Sequence, residues 1–187
     1  MTILNVLITL LPIASYFALE GRKNMPSMHW PKMAPSLSLN YENDPSRMTG
    51  KWGGRRAQIV KLQDVVTLTV WLEKATYLRA ECGPRALVTK RAGKGVPDPV
   101  APLDPSFGGK LLARCSERAA GPTVFNALIQ KRLSGLPRVD FVASDDHVIW
   151  TLPFLRKSGE AMEIFDALSV VADELDKFPR DGGTTRA

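Results

Sequence analysis

Two histidines and two cysteines are the side chains of this sequence best suited to acid–base or nucleophilic chemistry. His147 follows Asp145 and Asp146, and a histidine beside a carboxylate can act as a general base. The string Ser144-Asp145-Asp146-His147 is equally turn chemistry, because aspartate tolerates the backbone angles of a tight reversal. The turn is the simpler expectation. His29 lies in a proline-rich stretch unsuited to holding a base against a nucleophile. Cys82 and Cys115 are 33 residues apart in strand-like segments. A reactive thiol needs a nearby cation or helix N-terminus to lower its pKa. Arg79, Arg85 and Arg114 are near, but basic residues are common throughout this half, so buried structural cysteines are expected.

Metal and phosphate chemistry fare no better. Two cysteines and two histidines at these spacings make no four-ligand cage. The glycine pairs around residues 93–95 and 108–109 lack the lysine and hydroxyl of a phosphate-binding loop. Asp104, before Pro105, reads as a turn or helix cap, with Phe107 as a core anchor. The carboxylates Glu163, Asp166, Asp173 and Glu174 fall off the apolar stripe of a helix and read as its solvated face. No catalytic residue, cofactor or metal is therefore expected, and the reading leans away from an enzyme.

Surface recognition is the better lead. Lys51, Arg55, Arg56 and Lys61 gather around Trp52 and could contact an anionic surface. Each Lys or Arg beside an anionic leaflet contributes about 1 kcal/mol, and phosphates of nucleic acid would attract the same groups. No nucleic-acid-binding motif accompanies them, so nucleic acid is the less favoured polyanion.

The chain has 187 residues, 44% hydrophobic and 24% charged, which fits a folded domain and excludes wholesale disorder. The net charge of +6 is unevenly placed. Residues 1–139 hold 20 Lys/Arg against 9 Asp/Glu, whereas residues 140–187 hold 5 against 10. A basic part and an acidic helix that complement each other within one domain explain this more simply than a polyanion-facing half.

Residues 3–19 form a run of 17 without a charge. As a helix they would rise about 25 Å, just short of a bilayer's hydrocarbon thickness. A cleaved signal peptide would carry a basic n-region and a small-residue cleavage site, and neither is evident. A core helix apolar on every face would need a large body around it. A single membrane anchor is the expectation. Arg22, Lys23 and Lys32 follow it, and the positive-inside tendency places the body in the cytoplasm.

Four segments are expected: a hydrophobic segment at 1–23, a Pro-rich tether at 24–45, a domain at 46–180 and a disordered tail at 181–187. Within the domain, strands are predicted at 58–63, 65–72, 77–82, 85–90 and 107–116, with a hairpin or tight corner at Gly83-Pro84 between the third and fourth. Residues 91–105, with four prolines, read as an exposed loop. A helix is predicted at 122–133, then a hairpin of strands at 139–143 and 148–152, then a long helix at 158–178. Ile164, Leu168, Val171, Leu175 and Phe178 form that helix's apolar stripe. The fold class is α+β: a mostly antiparallel sheet with two amphipathic helices, preceded by an N-terminal hydrophobic helix.

This order of elements resembles a group of bacterial proteins of unknown function with an N-terminal hydrophobic segment and one α+β domain. The D-x-x-F element at Asp104-Pro105-Ser106-Phe107 is similar to theirs. So, with shifted spacing, is Gly50-Lys51-Trp52-Gly53-Gly54-Arg55 to their G-x-x-x-G-R element. The resemblance spans residues 37–178, and Gly108-Gly109 departs from its pattern. It implies a membrane-associated domain and brings no activity, cofactor or site residue with it.

The functional expectation is a membrane-anchored, non-enzymatic interaction or scaffold domain with an unidentified protein partner, held to the membrane by residues 3–19. The alternative is a soluble protein that binds nucleic acid or anionic lipid through its basic N-terminal half.

Overall fold

The computed structural model describes residues 29–43, 46–62, 64–91 and 98–180. The expected hydrophobic segment, the first part of the tether and the tail lie outside the described residues. Among those described, no helix is long and apolar enough to cross a membrane.

Among the described residues nine strands form one antiparallel sheet: β1 (Leu39–Asn43), β2 (Ser46–Trp52), β3 (Arg55–Leu62), β4 (Val65–Trp71), β5 (Ala80–Pro84), β6 (Asp98–Pro99), β7 (Leu111–Cys115), β8 (Phe141–Ser144) and β9 (His147–Leu152). Their spatial order is β1-β2-β3-β4-β9-β8-β5-β7-β6. The helices are α1 (Trp30–Met33), α2 (Arg85–Lys90), α3 (Pro105–Lys110), α4 (Gly121–Val124), α5 (Ala127–Ser134) and α6 (Ser158–Leu175). The class is α+β.

Alternation along each strand separates two faces. The register aligns Met48, Ile59, Leu68, Trp150, Phe141, Cys82 and Ala113 in one row across seven strands. All seven are buried. Phe125 stacks on Phe141, which stacks on Trp150, with centroids 6.1 and 5.9 Å apart. The helix α6 lays Ala161, Ile164, Phe165, Leu168, Val171, Ala172 and Leu175 against this face. Its stripe is the predicted one, except that regular helix ends at Leu175. Phe178 packs beyond the end, edge-on to Tyr77 at 6.4 Å.

Two tight hairpins set the register of the central strands. Gly53 and Gly54 join β2 to β3 at φ +56° and +84°, the positive angles a two-residue hairpin loop requires. Asp145 and Asp146 join β8 to β9, with Asp145 at φ +55°. The predicted turn at residues 144–147 is therefore present, with Ser144 and His147 paired across it.

Several expectations need correction. The tether does not run to residue 45. Trp30, Met33, Ala34 and Leu37 are buried in the main core, and β1 is the sheet's edge strand. Prolines restrict the backbone, but Pro31 and Pro35 sit in the opening positions of short helical turns, where a missing N–H costs nothing. The folded part thus begins before residue 46.

Residues 85–90 are a helix, not a strand. Gly83-Pro84 cannot close a hairpin because both residues lie in β5 and pair with β7, far along the chain. Residues 105–110 are also helical before β7 begins. There Asp104 caps α3, accepting from the Ser106 and Phe107 amides at 2.7 and 3.0 Å, and Phe107 is buried. The predicted helix at 122–133 is two helices, because Asn126 adopts an extended conformation and caps α5 instead of continuing α4. Two helices were expected, and the described residues hold six.

Candidate functional site on the open sheet face

The face opposite α6 is the place to look for function, because most of it carries no second layer. Strand parity puts Lys51, Arg56, Trp71 and His147 on it, from β2, β3, β4 and β9. Lys51 pairs with Arg56, and Trp71 with His147. Neighbouring strands lie about 4.8 Å apart, so the row spans roughly 14 Å. The Arg56 guanidinium sits 4.1 Å from the centre of the Trp71 ring. The Trp71 and His147 rings lie 6.5 Å apart at a tilt of 47°. His147 donates from Nδ1 to Asp146 Oδ1 at 2.7 Å, and that bond holds the Asp146 carboxyl below its ordinary value.

This row combines cations, a flat aromatic and a histidine, with one carboxylate at its end. A guanidinium over an indole contributes about 0.5–1 kcal/mol at an exposed site and holds the arginine extended over the ring. The arrangement suits recognition of anionic or planar polar groups. Below it the next row runs Thr49, Gln58, Thr69, Ile149 and Val142, of which Thr69 is the most buried.

The four basic residues expected to act together do not share a face. Lys51 and Arg56 are in the open row. Arg55 turns to the helical side, where its guanidinium meets Asp173 at 2.7 Å and Asp176 at 2.6 Å. Its side chain is 9% exposed. It ties the β2–β3 hairpin to the end of α6. Trp52, the register partner of Arg55 across the hairpin, does the same, donating to Asp166 at 2.9 Å and stacking on Phe165 at 5.5 Å. Lys61 is also on the helical side, near the end of β3. The acidic face of α6 is thus only partly solvated, since Asp166, Asp173 and Asp176 hold this hairpin.

At the other side of the sheet α2 covers the open face, and two charged groups lie beneath it. Glu81 on β5 is 1% exposed and stands opposite Arg114 on β7. Glu81 Oε2 and Arg114 Nε and Nη1 are buried without a hydrogen-bond partner among the described residues. Beside them Arg91, just after α2, pairs with Asp140. Sequence reading passed over this group because nothing in a strand's composition reveals which strand will lie next to it.

The cysteines are structural. Burial pushes the Cys82 thiol far above its ordinary value, with the charges of Asp140 and Glu81 adding to the effect. Burial also raises Cys115, which lines a shallow cavity of about 170 Å³ with Asp98, Val100, Arg118 and Pro122. We expect neither thiol to react with a disulfide reagent at neutral pH on the timescale of a free thiol, and both to react in denaturant. Fast native labelling of one thiol would contradict its placement. His29 is exposed and lies just before α1, where its side chain makes no capping hydrogen bond.

No family model matches the chain, and no curated protein matches it. Among solved structures, it is similar to the crystal structure of the mycobacterial trehalose monomycolate transport factor A, TtfA, with a TM-score of 0.59. The match covers 80% of this chain and 94% of that one at 11% identity, so the likeness is one of fold.

Proposed function

We propose that the chain is a membrane-associated, non-enzymatic interaction module whose open sheet face receives a protein partner. The observation that carries this reading is the one-sided architecture. One face of the sheet is committed to α6 and the core, while the other presents Arg56 stacked on Trp71 beside His147. Aromatic and arginine side chains are the residues that most often anchor protein interfaces.

Residues 3–19 supply the membrane attachment in this proposal, with the body on the cytoplasmic side. The structure with a similar fold is that of a transport factor. A role in transport is the form of the proposal closest to that neighbour.

The test is photo-crosslinking in cells from a probe at Gln58, on the open face, and at Glu163, on the exposed side of α6. A discrete adduct from Gln58 alone, weakened by Trp71→Ala, is the expected result. Adducts from Glu163 and none from Gln58 would reject the open face as the docking surface.

A second reading is supported by Lys51 and Arg56 sharing one row: the same face binding a polyanion. Electrophoretic shift with short nucleic acids across a salt series tests it. Binding that falls with salt and with Arg56→Glu is the expected result, and no shift at low salt would remove this reading.

A further inference from the structure

The four adjacent strands β9, β8, β5 and β7 bring distant segments to one end of the sheet. β8 begins where β9 ends, and the register sets Cys82 opposite Phe141 and Pro84 opposite Leu111. The stretch before β8, the stretch after β9, the helix α2 and the last residue of α3 therefore share that end. Three strand spacings, roughly 14 Å, separate β9 from β7.

Cations dominate these segments. Arg138, Arg156 and Lys157 flank β8 and β9, while Arg85, Lys90 and Lys110 come from α2 and α3, and all six are exposed. Of the nearby acids, Asp140 is already paired with Arg91, Glu160 sits in the first turn of α6, and the exposed Asp64 lies in the β3–β4 turn beside the end of β9. Two apolar side chains stand out among the cations, Leu87 at 45% exposure and Phe154 at 39%. The Phe154 ring carries the Arg138 guanidinium 4.4 Å from its centre and that of Arg156 at 4.7 Å. Arg138 holds this position from a left-handed backbone conformation, φ +57°, which an arginine seldom adopts.

We propose that this end of the sheet is a docking surface for an anionic membrane leaflet, with Phe154 and Leu87 entering the headgroup region between the cations. The chemistry matches on both counts. Several Lys and Arg side chains beside anionic headgroups each contribute about 1 kcal/mol. An aromatic ring at their centre belongs at the boundary between headgroup and hydrocarbon. Nucleic acid fits less well, because a ring already carrying two guanidinium groups has little face left on which a base could stack. The inference rests on the membrane-associated reading above and deepens it, since it states which side of the body lies against the bilayer.

The test uses the full chain with an environment-sensitive fluorophore at Phe154→Cys or, as control, at Tyr77→Cys. Tyr77 is 51% exposed and lies beyond β4 at the opposite end of the sheet. The buried native thiols stay unlabelled. Vesicles of phosphatidylcholine, with and without phosphatidylserine, are the probes.

The expected result is a blue shift and brightening at position 154 with the anionic vesicles only, and no change at position 77. Combining Arg138→Asn with Arg156→Gln, of which Asn tolerates the left-handed backbone, should reduce the docked-to-free ratio about 30-fold, two cations at about 1 kcal/mol each. If the protein sediments with both vesicle types while position 154 keeps its aqueous emission, docking is overturned and membrane association stands. If the protein stays in the supernatant with both, the membrane reading itself fails and the docking surface with it. A brightening at position 154 with short RNA but not with anionic vesicles would overturn the assignment in favour of nucleic acid.

Discussion

Replacing Trp30 with alanine is expected to lower the unfolding free energy by about 3–5 kcal/mol, the usual cost of removing a fully buried aromatic. For a domain of this size that corresponds to a fall in melting temperature of roughly 6–20 °C. Trp30 is 1% exposed within the core that also holds Leu37, Met48 and Phe165. Its indole Nε1 has no hydrogen-bond partner among the described residues, so the ring's packing carries the expected loss. A tether would give a different answer: if residues 29–37 only linked a body to an anchor, Trp30→Ala would leave the melting temperature where it was. Thermal unfolding followed by far-ultraviolet circular dichroism decides between the two.

The second large effect separates two neighbours in sequence. Arg55→Ala should cost about 2–3 kcal/mol, because it removes a nearly buried guanidinium and leaves the half-buried Asp176 without its cation. The exposed Asp173 adds little to that figure, as solvent screens its share. Arg56→Ala should cost no more than about 1 kcal/mol, the value of its contact with Trp71. The functional readouts should reverse this order. Arg56→Ala is expected to weaken crosslinking from the open face, and Arg55→Ala to leave it intact wherever the protein remains folded. Equal destabilisation by the two substitutions would contradict the division of the basic residues between faces. Urea unfolding of both variants beside the parent measures it.

Much of that division was legible in the sequence. Alternation in β4 puts Val66, Leu68 and Val70 together and thereby sends Trp71 to the opposite side. The same rule applied to β2 and β3 separates Lys51 from Trp52, and Arg55 from Arg56. Grouping the four cations by proximity along the chain concealed it. The stripe of α6 and the hairpin at residues 144–147 were equally plain, because a helix's period and a two-residue turn are local properties.

What escaped reading depends on pairing between distant segments. β5 looked like one arm of a local hairpin, yet its partners are β7 and β8, and only that pairing buries Glu81 opposite Arg114. The helical turns at residues 30–37 were hidden by prolines, which mark loops in general but also fit the opening positions of a helix. The Arg138–Phe154–Arg156 cluster joins the beginning of one strand to the end of the next. No run of basic residues announces it.

Fractionation of cells expressing the full chain decides whether the proposed membrane association holds. The protein is expected to stay in the membrane pellet through high salt and alkaline carbonate, and to be released only by detergent. Full-length protein that remains soluble without detergent would contradict it.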